Sequence, residues 1–220
     1  MAVRQSRAAL ISRAAKISAA LATLYPEARI SLDFETPWQC LAATILSAQC
    51  TDERVNKVTP ALFREFPDAR ATAAADAARV RELVATTGFF RQKAKSLIST
   101  AKLIVERHGG EVPSELDDLV KLKGVGRKTA NLVVTEAYRK PGICVDTHVH
   151  RISNRWGLVR TRNPDQSEAA LREVLPRRHW LEYNRILVAF GQTLCHPVSP
   201  RCSQCPVAHR CPRIGVGRSR

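Results

Sequence analysis

The chain has 220 residues, of which 45% are hydrophobic and 25% are charged, a balance that excludes extensive disorder and a fibrous architecture. It carries 35 Lys and Arg against 20 Asp and Glu, which gives a formal charge of +15. The sequence contains no run of about 18 apolar residues and no lipidation signal, so a membrane is not the expected partner. The surplus of positive charge therefore indicates that the protein binds nucleic acid.

The first 24 residues contain Arg and Ser but no acidic residue, which is the composition of an organelle transit peptide. The same segment has apolar residues at helical spacing, namely Ala9, Leu10, Ile17, Leu21 and Leu24. We therefore expect an amphipathic first helix of the folded body, with organelle targeting as the alternative. A secretory signal is not expected, and the protein is expected to be cytoplasmic and associated with the nucleoid.

Helix signals recur along the chain, whereas the alternating pattern of β-strands is not found in the sequence. Residues that commonly begin helices stand at the start of four apolar-periodic segments: Pro37, Thr51, Asp76 and Pro113. A long helical segment that begins at Phe89 is closed by Gly109 and Gly110. Two further helices are predicted in LREVLP and in WLEYNRILVAFGQTLC. The pattern predicts an all-α fold without internal repeats.

The segment SELDDLVKLKGVGRKTANLVVTEAY reads as two helices joined by a short turn, and it predicts a helical hairpin. Gly124 and Gly126 permit positive φ and close approach of the backbone, so N–H groups near the second helix can point at a phosphate. Lys123 and Arg127 add positive charge on either side of Val125. An ordinary corner between helices is the alternative, and the basic composition favours phosphate binding. Such contacts set affinity and position rather than substrate choice.

Two residues after this turn, Lys128 falls in the first turn of the second helix, where the helix dipole and Arg127 disfavour its ammonium form. This favours a nucleophilic amine, and a phosphate-binding lysine is the alternative. Asp146 follows an apolar trio and precedes a predicted helix, so it is a candidate helix cap. Its alternative task is to stabilise positive charge that develops on a sugar and to relay protons. His148 and His150 lack a third ligand at suitable spacing, and a metal is not expected there.

Four of the seven cysteines form the C-terminal pattern Cys195-x6-Cys202-x2-Cys205-x5-Cys211. Helical periodicity stops in this proline-rich segment, so something other than a hydrophobic core must hold it. Four thiolates suit either a [4Fe-4S] cluster or a structural zinc ion, and the spacing leaves both open. Disulfides are the weaker alternative for an intracellular protein. The remaining thiols lie among apolar residues and are expected to be buried and inert: Cys40, Cys50 and Cys144.

Four motifs, in this order, resemble the endonuclease III family of the helix-hairpin-helix glycosylase superfamily: LSAQCTD, LKGVGRKTAN, VDTHVHR and the cysteine pattern. The resemblance extends from about residue 30 to Cys211. It implies an all-α, two-lobed fold. Residues 30–140 would form a six-helix barrel that contains the hairpin at about 115–138, and residues 1–29 and 141–220 would form a combined iron-sulfur cluster domain.

The resemblance also implies an activity, that of a base-excision-repair DNA glycosylase which removes oxidised pyrimidines and cleaves abasic sites. Lys128 would attack the sugar C1′ of the damaged nucleotide and form a Schiff base, and Asp146 would assist. β-Elimination then cuts the strand on the 3′ side. The partner would be double-stranded DNA with a damaged base or an abasic site, bound by a monomer without a membrane.

In the family the damaged nucleotide is extruded from the helix, and by resemblance Gln49 and Phe89 would fill the gap. Without the resemblance, Gln49 reads equally well as a helix end and Phe89 as a core residue. The sequence departs from the usual family pattern where Gly88 is followed by Phe-Phe rather than Leu-Tyr, a change expected to affect lesion choice or strand opening. The hairpin also reads LKG where LPG is commoner, which should be a mild change.

The cofactor that the resemblance implies is a [4Fe-4S] cluster whose ligands would be Cys195, Cys202, Cys205 and Cys211. Two other functions are considered. The adenine glycosylase branch of the superfamily normally lacks a lysine at the position of Lys128 and carries a further C-terminal domain. A non-catalytic DNA-binding module would use Lys128 only to contact phosphate.

Overall fold

The computed structural model describes residues 5–220, and every regular element in this range is helical. The first four residues, which belong to the predicted N-terminal part of the cluster domain, lie outside the described residues. The α-helices are α1 (Arg7–Leu24), α2 (Pro37–Ser47), α3 (Asp52–Glu65), α4 (Ala69–Ala73), α5 (Ala77–Leu83), α6 (Phe90–His108), α7 (Leu116–Leu119), α8 (Arg127–Leu132), α9 (Thr147–Arg155), α10 (Pro164–Val174) and α11 (Trp180–Thr193). None of these helices is long and apolar enough to cross a membrane.

These residues form two compact units. One unit is continuous, Ser31–Lys140, and contains α2 to α8. The other combines the described residues up to Ile30 with Pro141–Arg220, and it contains α1 and α9 to α11.

The predicted helix starts are confirmed at most positions, because side-chain caps fix them. The hydroxyl of Thr51 accepts from the Arg54 N–H at the start of α3, and the Asp76 carboxylate accepts from the Ala78 N–H at the start of α5. Pro37 occupies the first position of α2, where its missing N–H costs nothing. The five-residue helix α4 was not predicted from the sequence.

In the Ser31–Lys140 unit, α6 is the central helix, because it contacts α2, α4 and α5. Leu97 and Ile104 of α6 are fully buried, as is Leu41 of α2. The hydroxyl of Thr100 on α6 also donates to the carbonyl of Lys123 at 2.7 Å. The helical hairpin therefore rests directly on the best-packed helix of its unit.

In the other unit, the core brings α1 together with α9, α10 and α11. Ile17 and Leu21 of α1 pack with Trp156 and Phe190, and all four side chains are at most 1% exposed. The amphipathic helix expected from the sequence is thus confirmed as part of the folded body. Two of the five predicted apolar residues are exceptions: Ala9 is exposed near the start of the helix, and Leu24 is 47% exposed at its end.

Candidate functional site

The hairpin turn between α7 and α8 is held from inside by two apolar side chains. Leu122 and Val125 are 3% and 5% exposed, and the N–H of Val125 donates to the Leu122 carbonyl at 3.1 Å. Lys123, Gly124 and Gly126 lie exposed between and after them. The turn therefore presents backbone and positive charge to solvent while its apolar residues anchor it.

The two glycines of the turn have different conformations. Gly124 has a φ of +84°, the left-handed region that glycine adopts without strain. Gly126 has a φ of −84° and is the N-cap of α8, so it does not adopt the positive φ that glycine permits. An added Cβ would meet no described atom within 4 Å at Gly126. Because Gly126 has no side chain, α8 begins without a side-chain cap.

Lys128 is exposed and occupies the second position of α8, directly after this uncapped start. Burial raises the pKa of the half-buried Asp52 carboxyl at the start of α3, and the positive charge of Lys128 opposes that shift. The two residues therefore interact within one unit. Asp52 belongs to the LSAQCTD motif and directly follows the predicted helix-start residue Thr51, but no role in the site was predicted for it from the sequence.

An irregular turn follows α8 and anchors it. Val133–Ala137 is a single π-helical turn, in which the N–H of Tyr138 donates to the Val133 carbonyl at 3.2 Å. Asn131 is 1% exposed, and its side-chain oxygen has no hydrogen-bond partner. Rare π turns within helices are frequent at functional sites, and this one supports the short helix that carries Lys128.

Gln49 and Phe89, the two residues that resemble gap-filling residues, both have left-handed backbone conformations in exposed connections. Gln49 has a φ of 51° between α2 and α3, and Phe89 has a φ of 45° directly before α6. Phe89 is 69% exposed, so the alternative of a core residue is wrong. Non-glycine residues in this region are strained, and such strain is retained mainly at functional sites.

The Phe89 turn is braced by a buried lysine. Lys93 is 5% exposed, and its Nζ donates to the carbonyl of Thr87 at 2.5 Å. The hydroxyl of Thr87 in turn donates to the carbonyl of Val84 at 2.8 Å. Burial lowers the pKa of Lys93, and Cys50 partly offsets this effect. These hydrogen bonds hold the backbone immediately before Gly88 and Phe89. They therefore fix the position from which the exposed Phe89 ring extends.

Asp146 belongs to the other unit and is the N-cap of α9. Its Oδ1 accepts from the Val149 N–H at 2.8 Å, so the capping role is confirmed. The strand-like segment before it is buried at Ile143 and Val145, and the Asn184 side chain donates to the Cys144 carbonyl at 3.1 Å. Asp146 itself is half-buried.

The four C-terminal cysteines line one apolar opening together with Trp156, Phe190, Leu194 and Val216. Burial raises the pKa of the Cys205 and Cys211 thiols, and the neighbouring cysteines add to the increase. Thiols placed together in this way become thiolates only when a cationic group compensates their repulsion. The donor set, four soft sulfurs around one opening, fits an iron-sulfur cluster.

Arg155, at the end of α9, ties the cysteine segment to the core. It is 7% exposed, and its guanidinium donates to the Cys195 Sγ at 3.4 Å and to the carbonyls of His196 and Pro197 at 2.6 Å each. Its own carbonyl accepts from the Ile214 N–H at 3.0 Å. Among the described residues, no carboxylate pairs with this buried cation, which instead faces cysteine sulfur and carbonyl oxygen. Sequence analysis did not identify Arg155.

Two expectations about the remaining cysteines are confirmed and one is wrong. Cys40 is fully buried and Cys144 is 1% exposed. Cys50 is only half-buried, because it follows Gln49 in the exposed connection between α2 and α3. The seven cysteines, all within the described residues, are free of disulfides.

Comparisons with known proteins match this arrangement over most of the chain. The family of HhH-GPD superfamily base excision DNA repair proteins matches residues 42–177, and the iron-sulfur binding domain of endonuclease III matches residues 195–211. An endonuclease III of Synechocystis sp. is 47% identical over 201 residues, which cover 91% of this chain and 92% of that protein.

Two solved structures are similar in fold as well as in sequence. A non-covalent endonuclease III–DNA complex has a TM-score of 0.84 at 35% identity, covering 92% of this chain and 95% of the other. A trapped endonuclease III–DNA covalent intermediate has a TM-score of 0.85 at 35% identity, covering 92% and 96%.

Proposed function

The chain belongs to the endonuclease III family of HhH-GPD base excision DNA repair proteins, and from this premise we propose how its own residues carry out the reaction. It is a DNA glycosylase with abasic-site lyase activity that acts on double-stranded DNA and holds a [4Fe-4S] cluster. The residues assigned below to catalysis, DNA binding and the cluster are our proposal.

Lys128 is the nucleophile, and its exposure in the first turn of α8 is the observation that carries the proposal. Its amine attacks C1′ of the damaged nucleotide, the base leaves, and a Schiff base joins Nζ to the sugar. β-Elimination from the imine then cuts the strand on the 3′ side of the abasic site, and hydrolysis releases the enzyme. No external oxidant or reductant is required.

Asp146 stabilises the positive charge that develops on the sugar as the base leaves, and it relays protons during the later steps. The cap supports this role, because one oxygen is fixed by the Val149 N–H while the carboxylate stays half-buried at the start of α9. A carboxylate held in this way loses little rotamer freedom when substrate arrives.

Gln49 and Phe89 replace the extruded nucleotide in the base stack. The ring of Phe89 is the larger wedge, because it is 69% exposed on a strained connection and offers an apolar face on which a base can stack. We assign oxidised pyrimidines as the substrates, and we place the enzyme with the nucleoid in the cytoplasm, consistent with its formal charge of +15.

The hairpin from Lys123 to Arg127 binds a phosphate of the DNA backbone. Gly124 and Gly126 are expected to respond differently to substitution by alanine. Gly124→Ala forces a Cβ onto a residue at φ +84°, which costs roughly 1–2 kcal/mol of folding stability. Gly126→Ala has ordinary φ and open space, so stability stays nearly unchanged while a Cβ blocks close approach of the phosphate.

Thermal unfolding and DNA affinity, measured on both glycine variants, separate the two effects. We expect Gly124→Ala to lower the melting temperature and Gly126→Ala to weaken DNA binding without lowering it. A Gly126→Ala protein that binds DNA as tightly as the wild type would contradict phosphate binding at this turn.

The cluster ligands are Cys195, Cys202, Cys205 and Cys211. The cluster holds an irregular segment that the hydrophobic core contacts through the fully buried Val207, so the expectation that no hydrophobic core takes part is wrong. Arg155→Gln should lower iron content and destabilise this segment, because the carbonyls of His196 and Pro197 lose a charged donor at a cost of about 1–3 kcal/mol. Iron analysis and the visible absorption of the cluster measure this directly. Arg162→Gln, which removes an arginine from an exposed position of the same unit, is the control and should keep full iron content. Equal iron content in both variants would refute the role of Arg155.

Substrate choice is tested with a panel of duplexes that carry thymine glycol, an abasic site, adenine opposite 8-oxoguanine, or no lesion. Free base and strand cleavage are measured separately for each duplex. We expect base release from thymine glycol, coupled to cleavage on the 3′ side, and cleavage of the abasic duplex. Release of adenine without strand cleavage would instead indicate an adenine glycosylase, and tight binding without any product would indicate a DNA-binding module.

A further inference from the structure

A basic groove lies between α5 and α6 and begins at Arg91, two residues after Phe89. Its volume is about 410 Å³, its floor includes Ala94 and Ile98, and four cations line it: Arg81, Arg91, Lys95 and Lys102. All four cationic side chains belong to exposed residues. A concave surface lined by one sign of charge concentrates the electrostatic potential and attracts anions.

Two carboxylates next to the groove are engaged with groups outside it. Glu82 forms an ion pair with Arg79 at 2.7 Å, and the Asp76 Oδ1 caps α5 by accepting from the Ala78 N–H at 3.0 Å. Within residues 5–220, none of the four groove cations forms an ion pair. Arg91 has its guanidinium over the ring of Phe90, which leaves its charge available.

Three of the cations follow one face of α6. Arg91, Lys95 and Lys102 are spaced by four and seven residues, so they lie within about 40° of one another around the helix axis. Along the axis they extend over roughly 16 Å, the rise of about four to five nucleotides of one strand. The spacing of charge therefore suits an extended polyanion better than a small anion.

The groove and the hairpin use different faces of α6. The hairpin packs against Ser96 and Thr100: the Thr100 hydroxyl bonds the Lys123 carbonyl, and a Cβ on Gly124 would lie 3.5 Å from Ser96. Thr100 lies about 160° around the helix from Lys102 and about 140° from Lys95, and Ser96 lies about 120° and 100° from them. The phosphate contact proposed for the hairpin is therefore on a different face of α6 from Lys95 and Lys102.

We propose that this groove is a second DNA-binding site, which contacts the phosphate backbone of another, undamaged duplex segment while the hairpin holds the first. The proposal rests on the proposed function only in taking DNA as the polyanion. Two sites on one protein permit direct transfer between segments, because a new duplex is bound before the old one is released. Such transfer shortens the search for rare lesions.

Direct transfer is tested by following dissociation of a labelled, undamaged duplex while the concentration of unlabelled competitor duplex is raised. With the wild type, the observed dissociation rate should increase with competitor concentration. In the Lys95→Gln/Lys102→Gln variant, the observed dissociation rate should not depend on competitor concentration. The matched control, Arg64→Gln/Arg107→Gln, removes the same charge from exposed positions outside the groove and should behave as the wild type; Arg107 lies on the face of α6 opposite the groove.

Several results would overturn the proposal. Competitor-independent dissociation of the wild type would exclude a second site, and equal loss in both double variants would reduce the effect to net charge. If polyglutamate accelerated dissociation of the labelled duplex as strongly as competitor DNA does, the groove would be a general polyanion site. Because the labelled duplex is undamaged, failure of base excision or strand cleavage would refute the proposed chemistry without deciding the fate of the groove.

Discussion

Lys128→Ala is expected to abolish strand cleavage and reduce base release by on the order of 10³-fold or more, while DNA affinity changes little. Without the amine no imine can form, and β-elimination loses the intermediate from which it proceeds. Lys128 is exposed, so truncation should change the free energy of unfolding by no more than about 0.5 kcal/mol. Single-turnover assays on a thymine glycol duplex measure both products.

The control for this result is Lys123→Ala, which removes an exposed lysine from the same hairpin. We expect this variant to bind DNA more weakly, and the salt dependence of its affinity should fall by about one phosphate contact. The reaction rate of the bound complex should stay unchanged. If Lys123→Ala and Lys128→Ala had the same phenotype, Lys128 would be a phosphate-binding residue, and the nucleophile would have to be sought elsewhere.

Asp146→Asn is expected to slow base release by roughly 10²- to 10⁴-fold without destabilising the protein. Asparagine caps helices about as well as aspartate, so the bond to the Val149 N–H is kept while the negative charge is lost. The substitution thus separates the two roles that this residue could have. Rate and thermal stability are measured on the same preparation.

Asp146→Ala completes the comparison, because it removes both the charge and the cap. Its rate should fall as far as that of Asp146→Asn, with an additional loss of about 1 kcal/mol in stability. An Asp146→Asn protein of wild-type activity, beside an Asp146→Ala protein that is impaired only through instability, would assign this residue to capping alone.

Local signals in the sequence were sufficient for most of the helices. Caps such as Thr51 and Asp76 bond to backbone two or three residues further along the chain, so they can be predicted without knowledge of the fold. Helix α4 was missed, although the Asp68 carboxylate caps it at 2.7 Å, because a five-residue segment is too short to show periodicity. The π turn at Val133–Ala137 was also missed, since it depends on how the end of α8 packs.

Features of the site that depend on tertiary structure could not be read from the chain. The negative φ of Gly126 follows from its place as the N-cap of α8, not from the identity of the residue. The exposure of Phe89 and the strain at Gln49 required the backbone path through two connections. Arg155 looks like any basic residue at a helix end until its three bonds to the cysteine segment are seen.

The central claim is that the amine of Lys128 becomes covalently joined to the DNA sugar. Borohydride added during reaction with a thymine glycol or abasic duplex reduces the imine to a stable adduct, which is then digested and mapped by mass spectrometry. The account predicts a sugar remnant on Nζ of Lys128 and no adduct with Lys128→Ala. An adduct on another lysine or on the N-terminal amine, or none at all although DNA is bound, would contradict it.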